Sequence, residues 1–194
     1  DIRKKRNVVD ALTKFGYDYS FEGIRSIIKN GDYNIANFEA ALTEERESKL
    51  KPSKPFVLYA NPVNTVDTLK NEGIDAVTLG NNHLMDFGES GLTKTLSMFS
   101  KADIKTFGAG RNIAEAERPL IHNINGKRVV YFSAYWYRNP MYRKYNFYAT
   151  DDTVGVACLS GGLIEQIKQE KRNNPDSMVV VFAHWGIDFE NVQT

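Results

Sequence analysis

Two hydrophobic periods alternate along the chain and set out a succession of helices and strands. Over residues 19–29 the apolar positions are Phe21, Ile24, Ile27 and Ile28, the spacing of one helix face, and Asn30-Gly31 closes the segment. Residues 33–38 read as a short strand. Residues 43–55 are polar, charged and proline-containing, the pattern of a loop. A second helix is expected over 62–71, with Pro62 at its start and Val63, Val66 and Leu69 at helical spacing. Residues 75–79 form an apolar run suited to a strand buried on both faces. A polar turn covers 80–88, a third helix 89–101 with Leu92, Leu96 and Phe99 inward, and a short strand 104–107.

The pattern then changes. Residues 120–124 and 128–133 flank Asn125-Gly126, a strong hairpin signal. Residues 135–153 are aromatic, polar and aperiodic, and read as a long loop. A fourth helix is expected over 162–172. The apolar strand 178–183 runs directly into His184-Trp185-Gly186. No repeat or linker divides the chain, so the expectation is one α/β domain: a mixed sheet with helices on its outer faces, parallel pairs early and a hairpin later.

Composition narrows the function classes. The chain has 194 residues, 42% of them hydrophobic and 12% aromatic, enough for a packed core. Its 25 basic and 24 acidic residues leave a net charge of +1, so bulk electrostatics gives no reason to expect nucleic acid as a partner. No apolar run approaches the roughly 18 residues that span a bilayer, and no signal peptide is visible. The basic opening Arg3-Lys4-Lys5-Arg6 reads as a solvated helix start or loop. The single cysteine, Cys158, excludes an internal disulfide and has no evident activating neighbour. There is no Walker-type glycine loop and no Gly-x-Gly-x-x-Gly after a strand.

The chemistry collects at the carboxyl ends of three strands, the edge where open α/β sheets bind ligands. There stand Asn37-Phe38-Glu39, Asn81-Asn82-His83 and His184-Trp185-Gly186. Together they offer a carboxylate, a carboxamide oxygen and imidazoles, a set suited to Zn²⁺, Mn²⁺ or Fe²⁺. Glu39 is the candidate carboxylate to bridge a pair of ions about 3.5–4 Å apart. His83 is the candidate to protonate a leaving group. Each residue also has a plainer reading: Glu39 as a surface carboxylate, Asn37 as a turn residue, His83 or His184 as a hydrogen-bonded structural histidine. Asp86 is either a helix N-cap or the partner that orients a histidine. Trp185 either walls the site or packs. His122 lies away from that edge and is read as structural or exposed. Asp188 and Glu190 are read as residues of a solvated loop.

Asn37-Phe38-Glu39-Ala40, the run Val77 to Gly88 containing Asn81-Asn82-His83-Leu84-Met85-Asp86, Phe107-Gly108-Ala109-Gly110-Arg111-Asn112, Glu115-Ala116-Glu117-Arg118-Pro119 and His184-Trp185-Gly186-Ile187-Asp188-Phe189 resemble, in this order, the CapA family of bacterial capsule or poly-γ-glutamate biosynthesis proteins. The resemblance implies a metallophosphoesterase-like four-layer α/β/β/α sandwich. It implies Glu39, Asn82 and His184 as ligands of one or two divalent metal ions (Mn, Zn or Fe), and His83 with Asp86 as the catalytic pair. Glu39 falls where related enzymes carry a bridging Asp. The family usually opens with a strand ending in Gly-Asp and closes with a Gly-His-x-x-His-like element. Neither is present in residues 1–194, so the single domain is expected to lack its first strand and C-terminal portion. The family also implies a bacterial cell-envelope or extracytoplasmic setting.

Two functions follow as expectations. One is a metal-dependent hydrolase acting on an envelope polymer or phosphoester, with Asn37 and Trp185 as further substrate contacts. The other is a non-catalytic module gripping an anionic polymer such as poly-γ-glutamate through Arg138, Arg143 and Lys144 of the aromatic loop. In either case other subunits of a polymer-synthesis complex are possible partners.

Overall fold

The computed structural model describes residues 8–137 and 145–186. Its elements are α1 (Val8–Phe15), a 3-10 turn (Asp18–Phe21), α2 (Arg25–Lys29), β1 (Ile35–Asn37), β2 (Ala41–Leu42), β3 (Tyr59–Ala60), α3 (Pro62–Glu72), β4 (Ala76–Thr78) and α4 (Gly88–Lys101). They continue with β5 (Lys105–Phe107), β6 (Ala109–Gly110), α5 (Ile113–Ala116), β7 (Leu120–Ile124), β8 (Lys127–Trp136), β9 (Gly155–Val156), β10 (Cys158–Leu159), α6 (Gly161–Asn173) and β11 (Met178–His184).

Strands β1, β4 and β5 form a parallel sheet with β4 in the middle. The second sheet is built on β8. Strand β11 runs parallel along one edge of β8, from Val129 to Tyr135. The other edge is shared by β7, antiparallel, and β10, parallel at Tyr135 and Trp136. The β7–β8 turn has Asn125 and Gly126 both at positive φ (51° and 78°), the backbone that two-residue hairpins demand.

Side-chain alternation stacks these sheets into four layers. Val77 of β4 is buried in one cluster with Val66 and Leu69 of α3 and Leu92 and Phe99 of α4. Ala76 and Phe107 belong instead to a cluster with Val129 and Tyr131 of the second sheet, onto which Val180 and Phe182 of β11 pack. Val130, Phe132 and Ala134 point to the far side and meet Leu163 and Ile167 of α6. The order is helices, sheet, sheet, helix, the α/β/β/α sandwich expected from the family resemblance.

At the carboxyl ends of the strands the two sheets touch. Thr78 Oγ1 and Ser133 Oγ share a hydrogen bond across the gap. A Cβ on Gly80 would stand 2.5 Å from Ser133 Oγ, and one on Gly108 would stand 2.7 Å from Ser133 Cβ and 2.8 Å from the Gly80 nitrogen. Gly108 also has φ +87°, which strains any other residue. Only residues without side chains allow this approach.

Three expectations need correction. The segment 19–29 is a 3-10 turn followed by a five-residue helix, not one continuous helix. Ile24 and Ile27 are exposed and only Ile28 is buried, so the apolar stripe has little core to bury against. Val63 is likewise exposed, and α3 buries Pro62, Val66, Leu69 and Glu72 instead. The stretch read as a loop from 135 keeps Tyr135 and Trp136 in β8, and its far end is core: Tyr145, Phe147, Tyr148 and Ala149 are buried. Non-local packing and a bridge from Tyr148 to Val156 hold it, which no local period could signal. His122 lies in β7 with its ring stacked on Tyr33 at 4.0 Å, a structural placement.

Gly108→Ala should destabilise the protein by about 2–4 kcal/mol, through backbone strain and through forcing the sheets apart. Urea unfolding measures this. A midpoint unchanged from wild type would show that the sheets do not depend on contact there.

Candidate functional site

Three strand ends and their following turns supply the site. Past β1 the chain turns through Phe38 to Glu39, past β4 through Asn81 to His83, and β11 ends at His184. The sheet contact at Ser133 brings these turns together although they belong to different layers. Glu39, Asn82, His83 and His184 line one cleft of about 110 Å³, together with Tyr135, Trp136, Trp185 and Gly186. His184 Nε2 is 2.9 Å from Asn82 Oδ1 and 3.6 Å from Glu39 Oε1. His83 Nε2 is 3.9 Å from the same Glu39 oxygen. Asn37 donates from Nδ2 to Glu39 Oε2 at 3.3 Å, so it orients the carboxylate. Trp185 is 62% exposed and walls the cleft rather than packing into a core.

Behind the cleft lies a sealed polar network. Asp86 is fully buried and does not cap α4, whose N-cap Phe87 makes no side-chain bond. Its Oδ2 accepts from His83 Nδ1 and from the Leu58 N–H, both at 2.7 Å, while Oδ1 accepts from Lys54 Nζ. Ser48 Oγ donates to the Asp86 carbonyl. Asp86 therefore reaches the cleft only through the histidine it holds. Burial pushes the Lys54 ammonium below the usual lysine range, and the adjoining Asp86 carboxylate opposes that shift.

Asn81 is the other staple. Fully buried, its Oδ1 accepts from the His83 and Leu84 N–H groups at 3.0 and 3.1 Å. Its Nδ2 donates to the Phe38 carbonyl at 2.8 Å and to Asn37 Oδ1 at 3.3 Å. One carboxamide thus fixes the Asn82-His83 turn to the Glu39 turn. Sequence reading assigned no role to Asn81, Lys54 or Ser48. Asn81 had a signal in the doubled asparagine. Lys54 and Ser48 sit in a polar loop where nothing local marks a residue for burial.

The donor chemistry can be tested against a divalent ion. Ligands about 2.1 Å from a common ion stand roughly 3.0–3.4 Å apart for ligand angles between square and tetrahedral. The 2.9 and 3.6 Å separations around His184 Nε2 bracket that range. Among the described residues no group of three or more His, Cys, Asp or Glu is arranged to hold a metal ion. The set here is Glu39 and His184 completed by the Asn82 oxygen, which fits part of the coordination sphere of one ion. Arg138, Arg143, Lys144, Asp188 and Glu190 lie outside the described residues. Among the described residues no helix is long and apolar enough to cross a membrane.

Comparison with known proteins identifies the family. The family model of the bacterial capsule synthesis protein PGA_cap matches residues 1–193. The chain is 32% identical to the capsule biosynthesis protein CapA of Bacillus anthracis, over 98% of this chain and 46% of that protein. It is 28% identical to the PGA biosynthesis protein CapA of Bacillus subtilis, over 98% of this chain and 48% of that one. A Mycobacterium tuberculosis protein named as a probable polyglutamine synthesis accessory protein is 26% identical over 80% of this chain and 41% of its own length. The chain spans about half the length of the two Bacillus relatives. It belongs to the bacterial capsule synthesis protein PGA_cap family.

Two outcomes follow from the geometry. Asn81→Ala leaves two backbone N–H groups and a carbonyl without partners and should cost roughly 2–4 kcal/mol in urea unfolding; a loss under about 0.5 kcal/mol would contradict the staple. Burial, with Glu117 nearby, pushes the Cys158 thiol up to about 11. At pH 8 about one molecule in a thousand is then thiolate, so iodoacetamide should alkylate folded protein far more slowly than unfolded. Equal rates would refute this.

Proposed function

We propose that this chain carries the hydrolytic site of a capsule-synthesis protein, a divalent-metal-dependent hydrolase acting on a phosphoester or on an anionic envelope polymer such as poly-γ-glutamate. The supporting observation is the convergence of Glu39, Asn82 and His184 on one cleft beside a histidine whose far nitrogen is gripped by a buried carboxylate. Glu39, Asn82 and His184 would hold the ion; Mn²⁺, Zn²⁺ and Fe²⁺ all suit a mixed oxygen and imidazole set. A second ion would need ligands beyond these three.

When bound, the ion supplies Lewis acidity and an activated water. The remaining work belongs to the protein. Asn37 turns the Glu39 carboxylate into the cleft. Asp86 accepts from His83 Nδ1 and holds Nε2 toward the cleft, where a proton taken up on Nε2 can be handed to the departing oxygen or nitrogen. Trp185 and Trp136 wall the cleft and limit its water. An envelope setting follows from this reading, because capsule polymers are assembled at the cell surface.

The test uses full-length protein. Metal content by elemental analysis should be stoichiometric, and Glu39→Ala or His184→Ala should lower it at least tenfold. His83→Ala should keep the metal yet lose phosphodiester or γ-glutamyl hydrolysis by about 10²–10⁴-fold, the usual worth of a proton-transfer group. Folded protein with neither metal nor turnover, but with retained affinity for poly-γ-glutamate, would favour the non-catalytic binding module instead.

A further inference from the structure

We propose that the Tyr135 hydroxyl is a substrate contact: it donates a hydrogen bond to an anionic oxygen of the group that enters the cleft. That group is a tetrahedral oxyanion, either a phosphoryl group or the oxyanion formed when an amide is attacked. The inference deepens the hydrolase reading of the same cleft and rests on it for the reaction.

Tyr135 lines the cleft and is only 6% exposed. Its backbone is fixed on both sides, in register with Cys158 of β10 and with His184 of β11. Its N–H donates to the Ala157 carbonyl at 2.9 Å. The ring stacks on Tyr148, with centroids 5.8 Å apart and 15° between the planes. Phe147 meets it edge-on at 6.3 Å, and the His184 ring lies 5.9 Å away. Strand pairing and ring packing therefore leave the side chain little freedom.

Three tyrosines gather behind the cleft, and their hydroxyls differ. Tyr148 Oη donates to the Trp136 carbonyl, and Tyr145 Oη donates to the Ser53 carbonyl at 2.5 Å. Tyr135 Oη has no hydrogen-bond partner among the described residues. A buried tyrosine ordinarily finds one. Nor is this hydroxyl sealed in: among the described residues, the side-chain polar atom shut from solvent without a partner is Ser177 Oγ. The Tyr135 hydroxyl thus opens on the space that the residue lines, which is the cleft. A cleft of about 110 Å³ has room for roughly three or four waters, enough for one phosphoryl-sized group and not for a length of polymer. Glu39 and the Asn82 oxygen offer acceptors there, and Tyr135 adds a donor. A donor already held in place where negative charge develops stabilises that charge without reorganising.

The experiment compares wild type with Tyr135→Phe, which keeps the ring and removes only the hydroxyl. Full-length protein with Zn²⁺ is titrated calorimetrically with inorganic phosphate. Tyr135→Phe should retain the urea midpoint and zinc content of wild type, because the hydroxyl holds nothing in the fold. Its phosphate dissociation constant should rise about tenfold, the usual worth of a hydrogen bond to a charged group. Equal phosphate affinity in the two proteins overturns the proposal, as does a wild type that binds no phosphate. A variant that fails to fold, or that loses zinc, gives Tyr135 a structural role and overturns it as well. The titration does not use turnover. Protein that binds phosphate through Tyr135 yet hydrolyses nothing would end the hydrolase reading and leave this one standing, whereas equal phosphate affinity in a protein that does hydrolyse would end only this one. In protein that turns over, the substrate whose hydrolysis Tyr135→Phe slows, phosphodiester or γ-glutamyl, identifies the source of the oxyanion.

Discussion

The contact between the two sheets at Ser133 is the constraint on which the rest depends. Packed sheets ordinarily stand about 10 Å apart, filled by two layers of side chains. Here a turn from one sheet places an asparagine oxygen 2.9 Å from a histidine on the other. Gly80 and Gly108 remove the side chains at the point of closest approach, and the Thr78–Ser133 hydrogen bond closes it. Beside this contact Phe107, Tyr131 and Phe182 fill the space between the sheets, with the Phe107 and Phe182 rings 5.6 Å apart. The sandwich is therefore narrowed where the cleft lies and full where the core lies.

Given that geometry, three polar groups buried behind the cleft convert proximity into a defined site. Asn81 joins the β1 and β4 turns, and Asp86 with Lys54 joins the β4 turn to the loop before β3. Such groups cost folding energy if left unpaired, and each is paired. Of the residues that face the cleft, Glu39 is more than a third exposed and Trp185 mostly so. Rigidity comes from the sealed layer, and chemistry is left to the open one.

Much of this was legible in the sequence because it is carried by local patterns. The helices over 62–72 and 88–101, the Asn125-Gly126 hairpin and the apolar run ending at His184 each follow from spacing or turn chemistry within a dozen residues. The convergence of Glu39, Asn82, His83 and His184 was legible because all four stand at carboxyl ends of strands. Other features were not. Lys54 and Ser48 lie in a stretch whose composition says loop, and their burial depends on Asp86 more than thirty residues away. The buried aromatics at 145–148 have no period, because they pack on β8 and on the loop carrying Lys54, not on a face of their own element. Ile24 and Ile27 show the opposite error: a helical spacing with no core opposite it.

Anomalous diffraction from crystals of the full-length protein grown with Mn²⁺ tests the central claim most directly. The account predicts a peak within bonding distance of the Glu39 carboxylate, the Asn82 side-chain oxygen and His184 Nε2. A peak bound elsewhere, or an intact cleft with these three side chains turned away from one another, would contradict it.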